Sequence, residues 1–159
     1  MNPTSTPTAT SAWSGTRRLR ILLVEDDPGD VLITTEALAD SNVPYELTVV
    51  EDGEQALDYL NQRGAHEGVT RPDLILLDLN LPRVDGREVL AEVKAHPDLA
   101  SIPVIILSTS DAEDDVLATY QLHANAYVTK PVDFDQFHQV VRSIDDFFLS
   151  IVRLPKREG

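Results

Sequence analysis

The 159-residue chain has no cysteine. That excludes a disulfide framework, a thiolate nucleophile and a zinc–thiolate site, and it permits a reducing compartment. Basic residues are also scarce: 13 Lys and Arg stand against 27 Asp and Glu, a formal charge of -14. A field of that sign repels phosphate backbones and anionic lipid, which disfavours direct binding to nucleic acid or a membrane surface. No apolar run approaches the roughly 20 residues needed to cross a bilayer, and the N-terminus lacks the basic, apolar and small-residue order of a secretory signal. The expectation is a soluble cytoplasmic protein whose surplus of acid leaves room for a metal site.

What is present is enough apolar sequence for one domain with a full core. Residues 1–17, rich in Ser, Thr, Pro and Ala, cannot bury enough apolar surface to order themselves and read as a disordered leader. The folded unit is expected over 18–150, with a tail at 151–159. From Leu19 onward, short dense apolar runs alternate with stretches of helical spacing, five times over. The strand candidates are Leu19 to Val24, Glu46 to Val50, Leu74 to Leu77, Val104 to Leu107 and Ala126 to Val128. Most are continuously apolar, as strands covered on both faces must be; the second is less so and belongs nearer an edge.

Helix starts are signalled by an aspartate followed three residues later by an acid or amide: Asp27/Asp30, Asp52/Gln55, Asp85/Glu88, Asp133/Gln136 and, more weakly, Asp111/Asp114. Pro28 falls at a first helical position, where its missing N–H costs nothing. Apolar spacing supports each helix, including Val116, Leu117 and Tyr120 in the fourth and Phe134, Phe137, Val141 and Ile144 in the fifth. Residues Asn61 to Arg71, with Gly64 and Gly68, read as a long loop. Strict alternation implies parallel strands joined by crossover helices. The fold class is α/β: a flavodoxin-like three-layer sandwich with a five-stranded parallel sheet in order 2-1-3-4-5 and five helices.

Polar groups stand just after these runs: Glu25-Asp26-Asp27 after the first, Asp78 after the third, Ser108 after the fourth and Lys130 after the fifth. In an open parallel sheet the carboxyl ends of the strands converge on the edge where ligands bind. Carboxylates in that number suit magnesium, which takes oxygen ligands and keeps several waters; the Asn80 carbonyl would add another. A carboxylate is a poor nucleophile toward phosphorus because phosphoryl oxygens repel it, and a cation and a lysine remove that obstacle. Singly, Asp27 is explained by capping, Asp78 by a strand end, Lys130 by the surface and Ser108 by a turn. Their joint placement points to reversible phosphorylation of Asp78. His66, His96, His123 and His138 lack metal-ligand spacing and receive no role.

Taken together, Val24-Glu25-Asp26, the run Asp73 to Pro82, Asp85-Gly86, Ser108 after Pro103 to Leu107, and Tyr127-Val128-Thr129-Lys130-Pro131 resemble the receiver domain of two-component response regulators. The resemblance spans Leu19 to about Ser150. It implies Asp78 as phosphoacceptor, Glu25 and Asp26 as the acidic pair for Mg2+, and Lys130 as the phosphoryl contact, with Pro131 after a cis bond. Ser108 and Tyr127 would form the switch pair, and Asn80 and Ser110 would tune hydrolysis of the acyl phosphate. Glu25 departs from the aspartate that many members carry. The run from Asp78 to Leu90, the loop before Arg71, Asn125 to Pro131 and the tail from Asp146 look like single-domain regulators paired with bacterial phytochrome histidine kinases. That subgroup implies a sensor histidine kinase of the bacteriophytochrome type as partner, and a homodimer. Phe147, Phe148, Ile151, Val152 and Leu154 would supply an apolar strip for it.

Three alternatives remain at this level. A phosphohydrolase of the dehalogenase type wants a second aspartate two residues after the nucleophile, where Asn80 stands. A flavodoxin wants neutral N–H donors after its first strand, where this chain is acidic. A pseudo-receiver that binds partners without taking phosphate would not need Glu25, Asp26, Asp78, Ser108 and Lys130 together.

Overall fold

Dense runs of Leu, Ile and Val form strands here because helices cover both faces of the sheet. A computed structural model describes residues 18–39, 44–109, 113–130 and 139. Its strands are β1 (Leu19–Val24), β2 (Tyr45–Val50), β3 (Leu74–Asp78), β4 (Val104–Ser108) and β5 (Ala126–Thr129). Between them lie α1 (Pro28–Leu38), α2 (Gly53–Leu60), α3 (Gly86–Ala95) and α4 (Glu113–Gln121). All neighbouring strands are parallel, in the order β2-β1-β3-β4-β5. The expected order therefore holds, and the less apolar β2 is an edge strand. The fifth helix, the leader and the tail lie outside the described residues. No helix among the described residues is long and apolar enough to cross a membrane.

Alternation along each strand divides the core. Leu22, Val24, Ile75, Leu77, Val104 and Ile106 face α2 and α3, which contribute Ala56, Leu60, Val89, Leu90 and Val93. Ile21, Leu23, Leu74, Leu76, Ile105, Leu107 and Val128 face the other way, against Ala37 and Leu38 of α1. Tyr120 departs from the expected helical stripe: it is 46 % exposed, while Thr119 beside it is fully buried and donates to the Val116 carbonyl. The long loop after α2 contains a single 3-10 turn, Gly64–His66.

Three helix starts are capped as anticipated. Asp27 accepts from the Gly29 N–H, Asp52 from that of Gln55 and Asp85 from that of Arg87. Gln55 reaches back to the Glu51 N–H, one residue before the cap. Glycine is required at two helix starts because backbone passes too close for a side chain. A Cβ on Gly53 would lie 2.0 Å from the Val84 carbonyl oxygen, and one on Gly86 would lie 2.3 Å from that of Asp78. The second contact presses the start of α3 against the backbone of Asp78 itself.

Candidate functional site

Strand register assembles the site. Val24 pairs with Leu77, Asp78 with Leu107 and Ser108 with Thr129, so β1, β3, β4 and β5 end side by side. Glu25 follows β1 directly, with its N–H bonded to the Val50 carbonyl. Asp78 and Ser108 are the last residues of their strands. Lys130 follows β5, and its N–H donates to the Ser108 carbonyl at 2.6 Å.

At this edge Glu25, Asp26 and Asp78 each offer a carboxylate oxygen, and these oxygens lie within 4.8 Å of one another. Asp26 is exposed, whereas Glu25 and Asp78 are 1 % and 5 % accessible. Burial pushes the Glu25 carboxyl up to about 7; the charge of Asp78 adds to that, and the hydrogen bond from Lys130 opposes it. An all-oxygen set with one ligand open to solvent fits a hard divalent cation that retains water. Asn80 is exposed, and its N–H donates to Asp78 Oδ1 at 3.2 Å.

Lys130 is itself buried. Its ammonium donates to Glu25 Oε1, to Asp30 Oδ2 at 2.9 Å and to Asp78 Oδ2 at 3.3 Å. Burial alone would depress its pKa, but the bonds to Glu25 and Asp30 and the charges of Asp78 and Glu25 outweigh it and hold the lysine above its ordinary range. It is a fixed cation at the foot of Asp78. Ser108 is fully buried beside it on β4, and Tyr127 is half-buried against the α2–α3 side of the core. Ser110 lies outside the described residues.

Glu25, Asp26, Asp78, Asn80, Ser108 and Lys130 thus meet at one edge, with Asp30 as an addition, while Tyr127 packs against the core. The Asp27/Asp30 spacing looks like a capping pair, yet Asp27 alone takes the cap and Asp30 reaches across to Lys130. A second addition is the link between α2 and the loop after β3. Arg83, at a positive φ of 68°, pairs with Asp52 at 3.3 Å and Glu54 at 3.4 Å. Asp52 thereby caps α2 with one oxygen and holds that loop with the other.

Comparison with known proteins finds matches over most of the chain. The family model of the response regulator receiver domain matches residues 21–142. The chain is 50% identical over 135 residues to the response regulator Rcp1 of Synechocystis sp., covering 85% of this chain and 92% of that protein. It is similar to the crystal structure of the phosphorylated cyanobacterial phytochrome response regulator RcpA, with a TM-score of 0.74 and 51% identity over 85% of this chain and 96% of that one. The Mn(2+)-bound form of Rcp1 gives a TM-score of 0.72 and 49% identity over 82% and 94%.

Proposed function

Because the chain belongs to the response regulator receiver family, we propose that Asp78 accepts a phosphoryl group from a sensor histidine kinase, and that the kinase is a bacteriophytochrome. The observation that carries this is Asp78 at the meeting point of the acidic trio and the buried Lys130 ammonium. The similarity to phosphorylated RcpA and to Mn(2+)-bound Rcp1 supports it.

In this reading Glu25, Asp26, Asp78 and the Asn80 carbonyl hold Mg2+, which when bound offsets the charge on the phosphoryl oxygens. Asp78 supplies the attacking oxygen; the O–P bond forms as the N–P bond of phosphohistidine breaks, and the imidazole nitrogen leaves with the electron pair. Lys130 meets the negative charge on one phosphoryl oxygen with a desolvated ammonium, exchanging a carboxylate acceptor for it. Ser108, buried on the adjacent strand end, offers a hydroxyl to another. Its movement and that of Tyr127 would pass the change to the face formed by α4 and β5. The protein acts by contacts with other proteins, as a homodimer in the cytoplasm, rather than as a metabolic enzyme.

Intact-protein mass after incubation with acetyl phosphate tests the chemistry. A gain of one phosphoryl group is expected with magnesium, and none with chelator or in Asp78→Asn. A wild type that gains nothing, and does not bind beryllofluoride either, would be a pseudo-receiver. Transfer from a phosphorylated phytochrome kinase, scored by the same shift, tests the partner.

A further inference from the structure

An ammonium has three N–H bonds to donate. On Lys130 all three are committed, to Glu25, Asp30 and Asp78. These acceptors are not equivalent. Glu25 and Asp78 belong, with Asp26, to the oxygens that converge on a cation position, and Asp30 stands outside that set. Its side chain is 26% exposed on the first turn of α1, whereas that of Lys130 is 3% exposed. Helix capping does not explain Asp30, because Asp27 already takes the Gly29 N–H at 3.2 Å.

Chemistry at Asp78 would change the partners of the lysine. A cation held by Glu25, Asp26 and Asp78 would compete with the ammonium for Glu25, and a phosphoryl group would occupy Asp78. A lysine head on a four-carbon stem, released by two of three acceptors, regains rotamer freedom and its aim is lost. We propose that Asp30 is a positioning residue for the phosphoryl transfer: it is the acceptor that stays with Lys130 when the other two are taken, and it keeps the ammonium aimed at the incoming phosphoryl oxygen. Charge-assisted bonds of this kind are about twice as strong as neutral ones. The inference rests on Asp78 being the phosphoacceptor.

The experiment measures the rate of phosphorylation by acetyl phosphate across a magnesium titration, for the wild type, Asp30→Ala, Asp30→Asn and Asp30→Glu, with unfolding midpoints as a control for folding. Asp30→Ala is expected to lower the maximal rate about tenfold, the scale at which orienting partners of functional groups act. Asp30→Asn should fall between it and wild type, and Asp30→Glu should recover most of the rate. The magnesium concentration for half-maximal rate should not move. Distortion of the β1–α1 loop would move it, since Glu25 and Asp26 lie on that loop. Loss of a negative charge near an anionic donor would by itself speed the reaction. Rates at or above wild type in Asp30→Ala and Asp30→Asn, or a fall tracking metal affinity, would overturn the role of Asp30 while leaving Asp78 as acceptor. A wild type that is never phosphorylated would overturn both.

Discussion

Replacing Lys130 with methionine removes a cation while keeping an unbranched apolar stem of similar length. Three carboxylates then face one another with nothing between them: Glu25, whose side chain is 1% exposed, Asp78 at 7% and Asp30 at 26%. Removing one partner of a buried ion pair costs about 3–5 kcal/mol, chiefly because the surviving charge stays buried. Two of the three survivors here are buried that deeply, so the upper part of that range applies in metal-free protein near pH 8. With urea slopes of roughly 1–3 kcal/mol per M, the unfolding midpoint should drop by about 2 M. The penalty is electrostatic, so two treatments should shrink it. Lowering the pH toward 5 lets the buried Glu25 carboxyl, already raised in the folded state, bind a proton more readily than in the unfolded chain, and the variant then gains stability as pH falls. Adding magnesium should stabilise the variant more than the wild type, because no ammonium competes for Glu25. Urea titrations of both proteins at pH 5 and 8, with chelator and with magnesium, measure all four gaps. A gap of the same size in every condition would refute the reasoning and make Lys130 a packing residue.

Gly86→Ala should destabilise by about 1–3 kcal/mol, the scale of overpacking, and also slow phosphorylation of Asp78, because the new Cβ meets the Asp78 carbonyl at 2.3 Å. Gly64→Ala, at φ +57° with nothing near its Cβ, should cost only about 1–2 kcal/mol and leave phosphorylation untouched; urea midpoints and acetyl phosphate rates separate the two. Glu25 has a folded pKa raised to about 7 from 4.5, so the native state binds the extra proton and metal-free stability should fall as pH rises through that interval. Glu25→Gln should flatten this slope in chelator, and should weaken magnesium binding measured by calorimetry. Asp52→Ala loses an N-cap and the Arg83 pair together, and should cost about 1–2 kcal/mol in chemical unfolding.

Much of this architecture was legible because its signals are local. A run such as Leu74 to Leu77 reads as a buried strand on composition alone, and β2 declares itself an edge by its polar residues. Tyr45 extends β2 by one residue, and Asp78 and Ser108 are drawn into their strands because the ladder continues past the apolar run. Asp27, Asp52 and Asp85 cap helices because their own neighbours supply the donors. Asp30 could not be placed in this way. Its partner is 100 residues distant, and an aspartate in the first turn of a helix gives the same local pattern whether it serves the dipole or reaches a lysine on another strand. Nothing local marks Gly53 and Gly86 as obligatory glycines, since the backbones they admit, at Val84 and at Asp78 and Leu79, come close only in the folded chain. Arg83 was hidden for a similar reason: its positive φ and its reach to Asp52 depend on how the loop after β3 lies across α2.

The central claim is a magnesium-dependent acyl phosphate on one particular carboxylate. The most direct measurement traps that bond with borohydride, which reduces an aspartyl phosphate to homoserine, and locates the homoserine by peptide mass spectrometry after treatment with acetyl phosphate. The account predicts homoserine at position 78 alone, formed with magnesium and absent with chelator. Homoserine at Asp26 or elsewhere, or at position 78 regardless of metal, would contradict it.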